Sequence, residues 1–570
     1  MNRFLKSSVF FLWAIFSFAC EKDKPAVMDV MQSDKSQHFD GAAADKSVTV
    51  MTNREITDIK VSVSSNETKT WCTAILVKNQ DQVTLYISVT QNNKSEVREA
   101  EIKLEHTGLP SINIQVVQSG MNPSVRQLVV HPVPQEILTS HHNNDYTVFV
   151  RLPGQEWQDL YEYKVMVDMD NPQPASMVQF DFAGTVELKV AVNKGTVSDV
   201  KIRPIIRGLQ PRIAENVIYL TLSEPEKLSL EVNGDRYHNL HIFANELETE
   251  QPDSNDPNVV YFGEGVHTSK DSSGNFNITS NKIVYLAPGA VVRGKFACNN
   301  VENVRFIGRG IIDNPQRGFE INFSRNIEIN GITVINPEHY TVWGGQTDGL
   351  KIRNLKSFSC QKWSDGIDLM SCSNVDIQDI FMRNSDDCIA VYAHRWNYYG
   401  DVRNYTVKNA ILWADVAHPI NIGLHGDTSN DGNVIEKLQF SDIDILEHDE
   451  YYSEYQGCMA FSVGDYNLVK DVTFENIRVE HIQRGQLFNL RILFNTEFSF
   501  GIGRGIENVT FRNIYYDGCC ENPSVIAGYD AQRIVDGVLF ENIVIRGKRI
   551  KSFDEGNIRV GNFTNNITLK

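Results

Sequence analysis

Asp386 and Asp387 stand side by side, 21 residues after Asp365. The two stretches read Trp363-Ser364-Asp365-Gly366-Ile367-Asp368 and Asn384-Ser385-Asp386-Asp387-Cys388-Ile389. If one repeat of the chain is one turn of a solenoid, this spacing sets the second stretch nearly above the first. The acids then gather on one face, separated by about one strand spacing of ~4.8 Å. Grouped carboxyls suit hydrolysis of a sugar–sugar bond, in which one gives a proton to the departing oxygen while another draws a proton from water. In the inverting form of that reaction the acid and the base stand about 6.5–9.5 Å apart. Three clustered carboxyls cannot all ionise freely, so one is expected to keep its proton near neutral pH, as a general acid must. A single Asp in a turn commonly does no more than satisfy backbone N–H groups; three in register argue for chemistry.

The elements that must position these acids are repeats. From Asn258 onward a unit of the form Asn-Val/Ile-x-Ile/Phe-x-(Gly/Asn)-Ile-x-Val recurs. It is seen in Asn303-Val304-Arg305-Phe306, Asn326-Ile327-Glu328-Ile329-Asn330-Gly331-Ile332 and Asn374-Val375-Asp376-Ile377-Gln378-Asp379-Ile380, and again late in the chain in Val472-Thr473-Phe474-Glu475-Asn476-Ile477, Val509-Thr510-Phe511-Arg512-Asn513-Ile514 and Val538-Leu539-Phe540-Glu541-Asn542-Ile543. The first apolar positions of the early units, Val304, Ile327, Leu350 and Val375, are 23 to 25 residues apart. A period of this size marks stacked supersecondary units. Each unit holds short alternating strands and no helical stripe, which excludes helical repeats, and the Leu lattice of a leucine-rich horseshoe is missing. A parallel β-helix is the natural solution, with inward Val, Ile and Phe stacked into a continuous core, Asn laddered at the bends and edges only at the two ends. Such a solenoid offers a groove suited to a polymer.

Ahead of the repeats the chain divides further. Arg3, Lys6 and the apolar run Val9 to Phe18, followed by Ser17-Phe18-Ala19-Cys20, read as a lipoprotein-type signal over residues 1–20 with Cys20 lipidated, or as an ordinary signal peptide cut near Ala19. Either reading exports the protein: to the outer membrane or cell surface as a lipoprotein, or to the periplasm or medium. Membrane attachment is expected only through Cys20, because no later stretch has 18 or more continuous apolar residues. Residues 21–45 are polar and read as a flexible tether. Residues 46–120 alternate as short strands, as in Ile59-Lys60-Val61-Ser62-Val63 and Val83-Thr84-Leu85-Tyr86-Ile87-Ser88-Val89, and suggest a small β-sandwich. A second β-rich block covers 124–256, and the polar run Glu248 to Asp256 closes it. Aromatics make up 10% of the 570 residues, so the chain is folded; a net charge of −18 argues against a protein that coats nucleic acid. Nine Cys include no paired C-x-x-C motif, so neither zinc nor any other metal or cofactor is indicated. Adjacent Cys519-Cys520 cannot easily pair with each other, and Cys360, Cys372 and Cys388 read as core residues of neighbouring coils.

Several segments resemble known families. Ser364-Asp365-Gly366-Ile367-Asp368 followed by Asp386-Asp387-Cys388-Ile389-Ala390 resembles the polygalacturonases, glycoside hydrolase family 28, and is similar to the dextranases of family 49. Val284-Tyr285-Leu286-Ala287-Pro288-Gly289-Ala290 fits the opening of their catalytic domain, and the likeness covers roughly 258–570. It implies an all-β chain with a right-handed parallel β-helix of the pectin-lyase type preceded by two small β-sandwich domains. It further implies an inverting glycoside hydrolase of an α-linked polysaccharide or oligosaccharide, with Asp386 as general acid and Asp365 and Asp387 positioning and deprotonating the water. Trp71-Cys72, Val89-Thr90-Gln91-Asn92, Arg98 and Val116-Val117-Gln118-Ser119-Gly120 resemble the BACON module, which implies either glycan binding or a spacer. Leu228 to Asp235 and His238 to Asn245 resemble the sandwich ahead of the family 49 catalytic domain.

Departures from the family pattern bear on the sugar. His418 sits where the polygalacturonases have Gly-His-Gly, yet its neighbours are Ala417 and Pro419; it is a candidate to touch substrate or to orient an acid. The family's Arg-Ile-Lys triplet is absent from the matching coil, Gly457-Cys458-Met459-Ala460-Phe461-Ser462, and Arg491-Ile492-Leu493 follows one coil later without the Lys. An Arg fork is the usual tool for gripping a carboxylate, so a neutral α-glucan of the dextranase kind is the alternative substrate. Lys362, His394, Arg395, Arg484 and Arg491 are the remaining cationic candidates. Trp363, Trp396, Tyr398 and Tyr399 are candidates for stacking on sugars, Tyr392 to Asp401 reads as a coil insertion that walls the groove, and His448-Asp449-Glu450 occupies a similar loop. The rival functions are a surface glycan-binding protein with a dead site and a calcium-dependent lyase of the same fold. A monomer is expected, with no nucleic-acid partner.

Overall fold

A computed structural model of the chain describes residues 27–39, 44–65, 71–79, 82–90, 92, 96–120, 127–429, 431–518 and 522–570. The signal segment 1–20 with Cys20, and the pair Cys519-Cys520, lie outside the described residues. Among the described residues regular structure is almost entirely β, with three 3₁₀ turns of three or four residues. No helix among the described residues is long and apolar enough to cross a membrane.

The chain forms two compact units, Met1–Val125 and Arg126–Lys570. The first holds two four-stranded sheets. Strand Ile112–Gln118 buries every second residue, as a one-sided sheet must. Trp71, Thr90, Arg98 and Gln118 meet there: Arg98 lies 4.4 Å from the Trp71 ring centroid and donates to Gln118 Oε1 at 2.9 Å and to the Thr90 carbonyl at 2.5 Å. The tether expected over 21–45 is corrected from residue 28 onward. Met28–Asp29 pairs with Met51 and Thr52, and Ser36–Phe39 runs parallel to Gln115–Gln118. Composition reads this stretch as polar, but Met28, Val30 and Phe39 supply enough apolar surface to fill the edge of the core.

In the second unit, a five-stranded and a six-stranded sheet over residues 127–246 enclose their own core. The chain then winds into a parallel β-helix of one 18-stranded and one 11-stranded sheet. Inward residues stack in register, for example Ile367, Ile389, Ile420, Met459 and Phe488. A column of Phe440, Phe474, Phe511 and Phe540 packs nearly face to face, with adjacent planes within 13°. Bends are made by Asn in the left-handed region, such as Asn303, Asn326, Asn374 and Asn513, a conformation Asn tolerates better than most residues. Their side chains bond to the next coil: Asn326 to Asn303, 23 residues away, at 2.7 Å, and Asn513 to Asn476, 37 residues away, at 3.0 Å. The later coils are thus longer than the early period, and the extra residues form loops.

The sandwich docks on the helix through an apolar layer. Val165, Val167, Met177 and Phe243 meet Val291, Ile335, Phe358, Phe381 and Trp413. Buried charges bridge the same seam. Arg203 of the sandwich, paired with its own Glu231 at 2.8 Å, joins Glu447 and Glu480 of the helix at 2.7 and 2.6 Å, while Arg383, held within the helix by Asp415 through two bonds of 2.9 and 3.0 Å, donates across the seam to Asn239 at 2.9 Å.

Candidate active site

The 11-stranded sheet is the floor of the site. Residues alternate in and out along each strand, so the neighbours of the core positions form an outward column that climbs through Glu320, Trp343, Asp368, Ala390, Asn421, Ala460 and Asn489. The acids sit in the turns that feed this sheet. Thr341 N–H donates to the Asp365 carbonyl, Gly366 N–H to that of Asp387, and Cys388 N–H to that of His418, all at 2.8–2.9 Å. These bonds stack one chemical residue per coil. Gly366 is required by close approach, since a Cβ there would lie 2.3 Å from the Cys388 carbonyl oxygen.

One oxygen from each of Asp365, Asp386 and Asp387 falls within 4.8 Å of the others. That is tighter than the acid–base separation of about 6.5–9.5 Å expected for opposed carboxyls. Asp365 and Asp387 are 5% and 4% exposed, and Asp386 is half-buried. Asp387 accepts four hydrogen bonds: from the His418 N–H at 3.1 Å, His418 Nδ1 at 2.6 Å, Tyr392 O–H at 3.0 Å and Asn421 Nδ2 at 2.9 Å. Burial alone would raise its carboxyl, but the His418 charge and these donors outweigh burial and hold it below the usual range. Asp386 accepts only its neighbour's backbone N–H, at 3.0 Å. Burial and the adjacent Asp387 charge push it up to about 7. Burial, then Asp386, raise Asp365 well above the ordinary value, and its Oδ1 is buried without a partner. Among three acids in contact the protons are shared: Asp387 is the anion, and Asp365 and Asp386 hold protons near neutrality.

His418 opposes its own burial through Asp387, which lifts it to about 9. Its other ring nitrogen meets the Tyr455 carbonyl, so both nitrogens face acceptors, as an imidazolium requires. Oxygens this close could cage a cation, yet both oxygens of Asp387 are taken by donors, one of them cationic, which suits a proton-transfer site better than a metal site.

A cavity of about 570 Å³ opens over the acids. Of the sequence candidates, Trp363, His394, Arg395 and His418 line it, as do Lys362, Trp396, Tyr399 and Glu450. Trp363, Trp396 and Tyr399 are exposed; Tyr398 is buried and packs beneath the insertion. Arg491 does not line the cavity: it projects from strand Phe488–Ile492, paired with Ser462 on one side and Ala527 on the other. Arg484 is tied to Asp449 at 2.5 and 3.0 Å. Cys372 and Cys388 belong to the helix core, whereas Cys360 is buried against the Val167 carbonyl of the sandwich. Sequence reasoning missed Tyr392, Asn421, Tyr340 and the fully buried Asp368. Strand parity is the signal that could have found Tyr392 and Asn421, because each lies at an outward position of its strand, within five residues of a chosen acid or histidine.

Loops close the trough at both ends. The insertion after Tyr392 folds back over earlier coils: Tyr398 O–H donates to Asn322 at 2.7 Å, Tyr399 N–H to Gln346 at 2.9 Å and Arg395 to Tyr340 at 3.2 Å. Trp396 stacks on Trp343 at 4.7 Å. At the other end Asn489 Nδ2 bonds the Glu454 carbonyl at 3.2 Å, and Tyr455 packs against Phe498 and Leu493. Of the outward column, Asn421 lines the cavity beside the acids.

Residues 293–557 match the family described as Glycosyl hydrolases family 28. A polygalacturonase of Juniperus ashei is 24% identical over 217 residues, covering 36% of this chain and 39% of the relative. A dextranase of Arthrobacter sp. (strain CB-8) is 22% identical over 303 residues, covering 44% of this chain and 45% of the relative. The chain thus spans less than half the length of these curated relatives. Among solved structures, Dex49A from Penicillium minioluteum superposes with a TM-score of 0.52 at 15% identity, over 75% of this chain and 94% of that one. The fold is a right-handed parallel β-helix preceded by β-sandwich domains, and the β-helix is related to glycoside hydrolases.

Proposed function

We propose that the protein is an exported glycoside hydrolase that removes sugars from the end of an α-linked polysaccharide. The observation that carries this reading is the split among three clustered carboxyls at the base of a loop-flanked, aromatic-rimmed pocket. Asp386, the most accessible of the three and protonated up to about 7, gives its proton to the departing oxygen. Asp387, kept ionised by its four donors, draws the proton from water, and Asp365 steadies that water. With the acids this close, the water sits alongside Asp386, held jointly by the other two, and not between opposed groups. Asp387 is only 4% exposed, which keeps it from reaching a sugar carbon as a nucleophile and favours direct attack by water and inversion at that carbon. A pocket closed at both ends admits a chain end and excludes the middle of a polymer.

A neutral sugar at the cleaved bond is favoured over a uronate by the charges around the cavity. Besides the protonated Asp365 and Asp386, the carboxyls of Asp387, Asp427, Glu450, Asp465 and Glu497 face it, against Lys362, Arg395 and His418. Arg395 is already engaged with Tyr340 and Asp368, and His418 with Asp387. The test is incubation with polygalacturonate, dextran and pullulan, with products sized by chromatography and their anomeric configuration read by NMR as they form. Release of a short product of inverted configuration is expected. A ladder of mid-length fragments would reject the chain-end mode, retained configuration would reject inversion, and no release from any polymer would reject the hydrolase.

A further inference from the structure

One residue of the cavity lining, Met169, does not come from the β-helix. In the second sandwich, strands Tyr163–Val167 and Gln173–Ala183 form a hairpin whose tip is residues 168–172. Asp168, in the left-handed region at φ 57°, shapes the tip by accepting from the backbone N–H groups of Asp170 and Asn171 at 3.0 and 3.1 Å. The tip is anchored to the turns that carry the acids. Met169 N–H donates to Ser385 Oγ at 3.0 Å, beside Asp386, and Ser385 Oγ donates in turn to the Ser359 carbonyl at 3.0 Å. The Val167 carbonyl accepts from Cys360 Sγ at 3.3 Å. Asp170 faces Arg484 at 3.7 Å; Arg484 holds Asp449, whose carbonyl accepts the N–H of Ala417, next to His418. So the tip touches the turn that supplies Asp386, the strand leading into it touches the segment ahead of Asp365, and Arg484 and Asp449 relay it to the turn of His418. The half-buried Met169 side chain lines the cavity opposite a rim of polar and aromatic groups.

We propose that this hairpin is part of the sugar-binding pocket and that Met169 is a specificity-determining residue, its thioether packing on the apolar face of a sugar bound next to Asp386. An unbranched, polarizable side chain is suited to an irregular apolar contact of this kind. The sandwich is then a working half of the site and not a spacer. This inference rests on the reading of the cavity as a sugar pocket, and its test separates the two.

Binding of trigalacturonate, isomaltotriose and maltotriose to the full chain carrying Asp386→Asn is measured by calorimetry, alone and combined with Met169→Ala, Met169→Leu or Met169→Trp. The expected result is a Kd raised about fivefold or more by Met169→Ala, returned to within about twofold by Met169→Leu and raised most by Met169→Trp, with melting temperatures unchanged. Equal affinity in the Ala and Trp variants would overturn the proposal, and so would a loss of affinity that merely follows a loss of melting temperature. If the parent binds a probe that the wild-type chain does not cleave, the hydrolase reading fails while the hairpin still stands or falls on the Kd values. Binding of none of the three probes would overturn both.

Discussion

Asp387 and Asp386 are neighbours in sequence yet take opposite charge states, because one is met by four donors and the other by a backbone N–H alone. Asp386→Asn keeps the shape and removes the proton donor. It is expected to lower kcat by about 10²–10⁴ with an unchanged melting temperature at pH 4, and wild-type turnover in this variant would refute the assignment. In the wild type the alkaline limb of the rate profile is expected as pH rises through about 7, where Asp386 loses its proton. The same shift has a stability counterpart. An unfolded Asp gives up its proton near pH 4, whereas the folded one keeps it to about 7. The native state therefore binds more protons between these values, and stability falls as pH rises across that window. Asp386→Asn is expected to melt above the wild type at pH 8, with the difference closing below pH 4; thermal unfolding at both pH values checks it.

The loops that follow the floor strands decide what the acids can reach. Trp396 stacks on Trp343 and lies under the Arg395 guanidinium at 4.2 Å, yet it is 49% exposed and lines the cavity. Loss of an aromatic stacking partner is worth about 0.5–1.5 kcal/mol, so Trp396→Ala is expected to raise KM roughly twofold to tenfold; steady-state kinetics on the cleaved oligosaccharide measure it. The segment Tyr392 to Asp401 was legible as an insertion from its length alone, but where it would fold was not, since its bonds to Asn322 and Gln346 reach coils 76 and 53 residues away. The acids were legible for the opposite reason, each being fixed by its own turn and by one adjacent coil. Tyr392 and Asn421 escaped notice because their role appears only once the outward column of the sheet is known. Met28–Asp29 escaped because a two-residue edge strand leaves no period to read.

At the scale of the whole second unit, the sandwich and the β-helix share buried ionic contacts that neither could keep alone. Arg203 of the sandwich has 1% of its side chain exposed, and its helix partners Glu447 and Glu480 have 7% and 6%. Removing one member of such a pair leaves the other charge buried and unmatched, at a cost of about 3–5 kcal/mol. Arg203→Ala is expected to destabilise the sandwich and the helix together, in one denaturant transition, and two separate transitions would show that the seam does not couple them. The stoppered trough described above has a kinetic consequence. An enzyme that accepts only termini has a speed set by the number of ends per gram of polymer and not by mass. Solutions of long chains should keep their viscosity while free sugar accumulates, and trimming those chains beforehand with an internally cutting depolymerase should multiply the rate in proportion to the new ends.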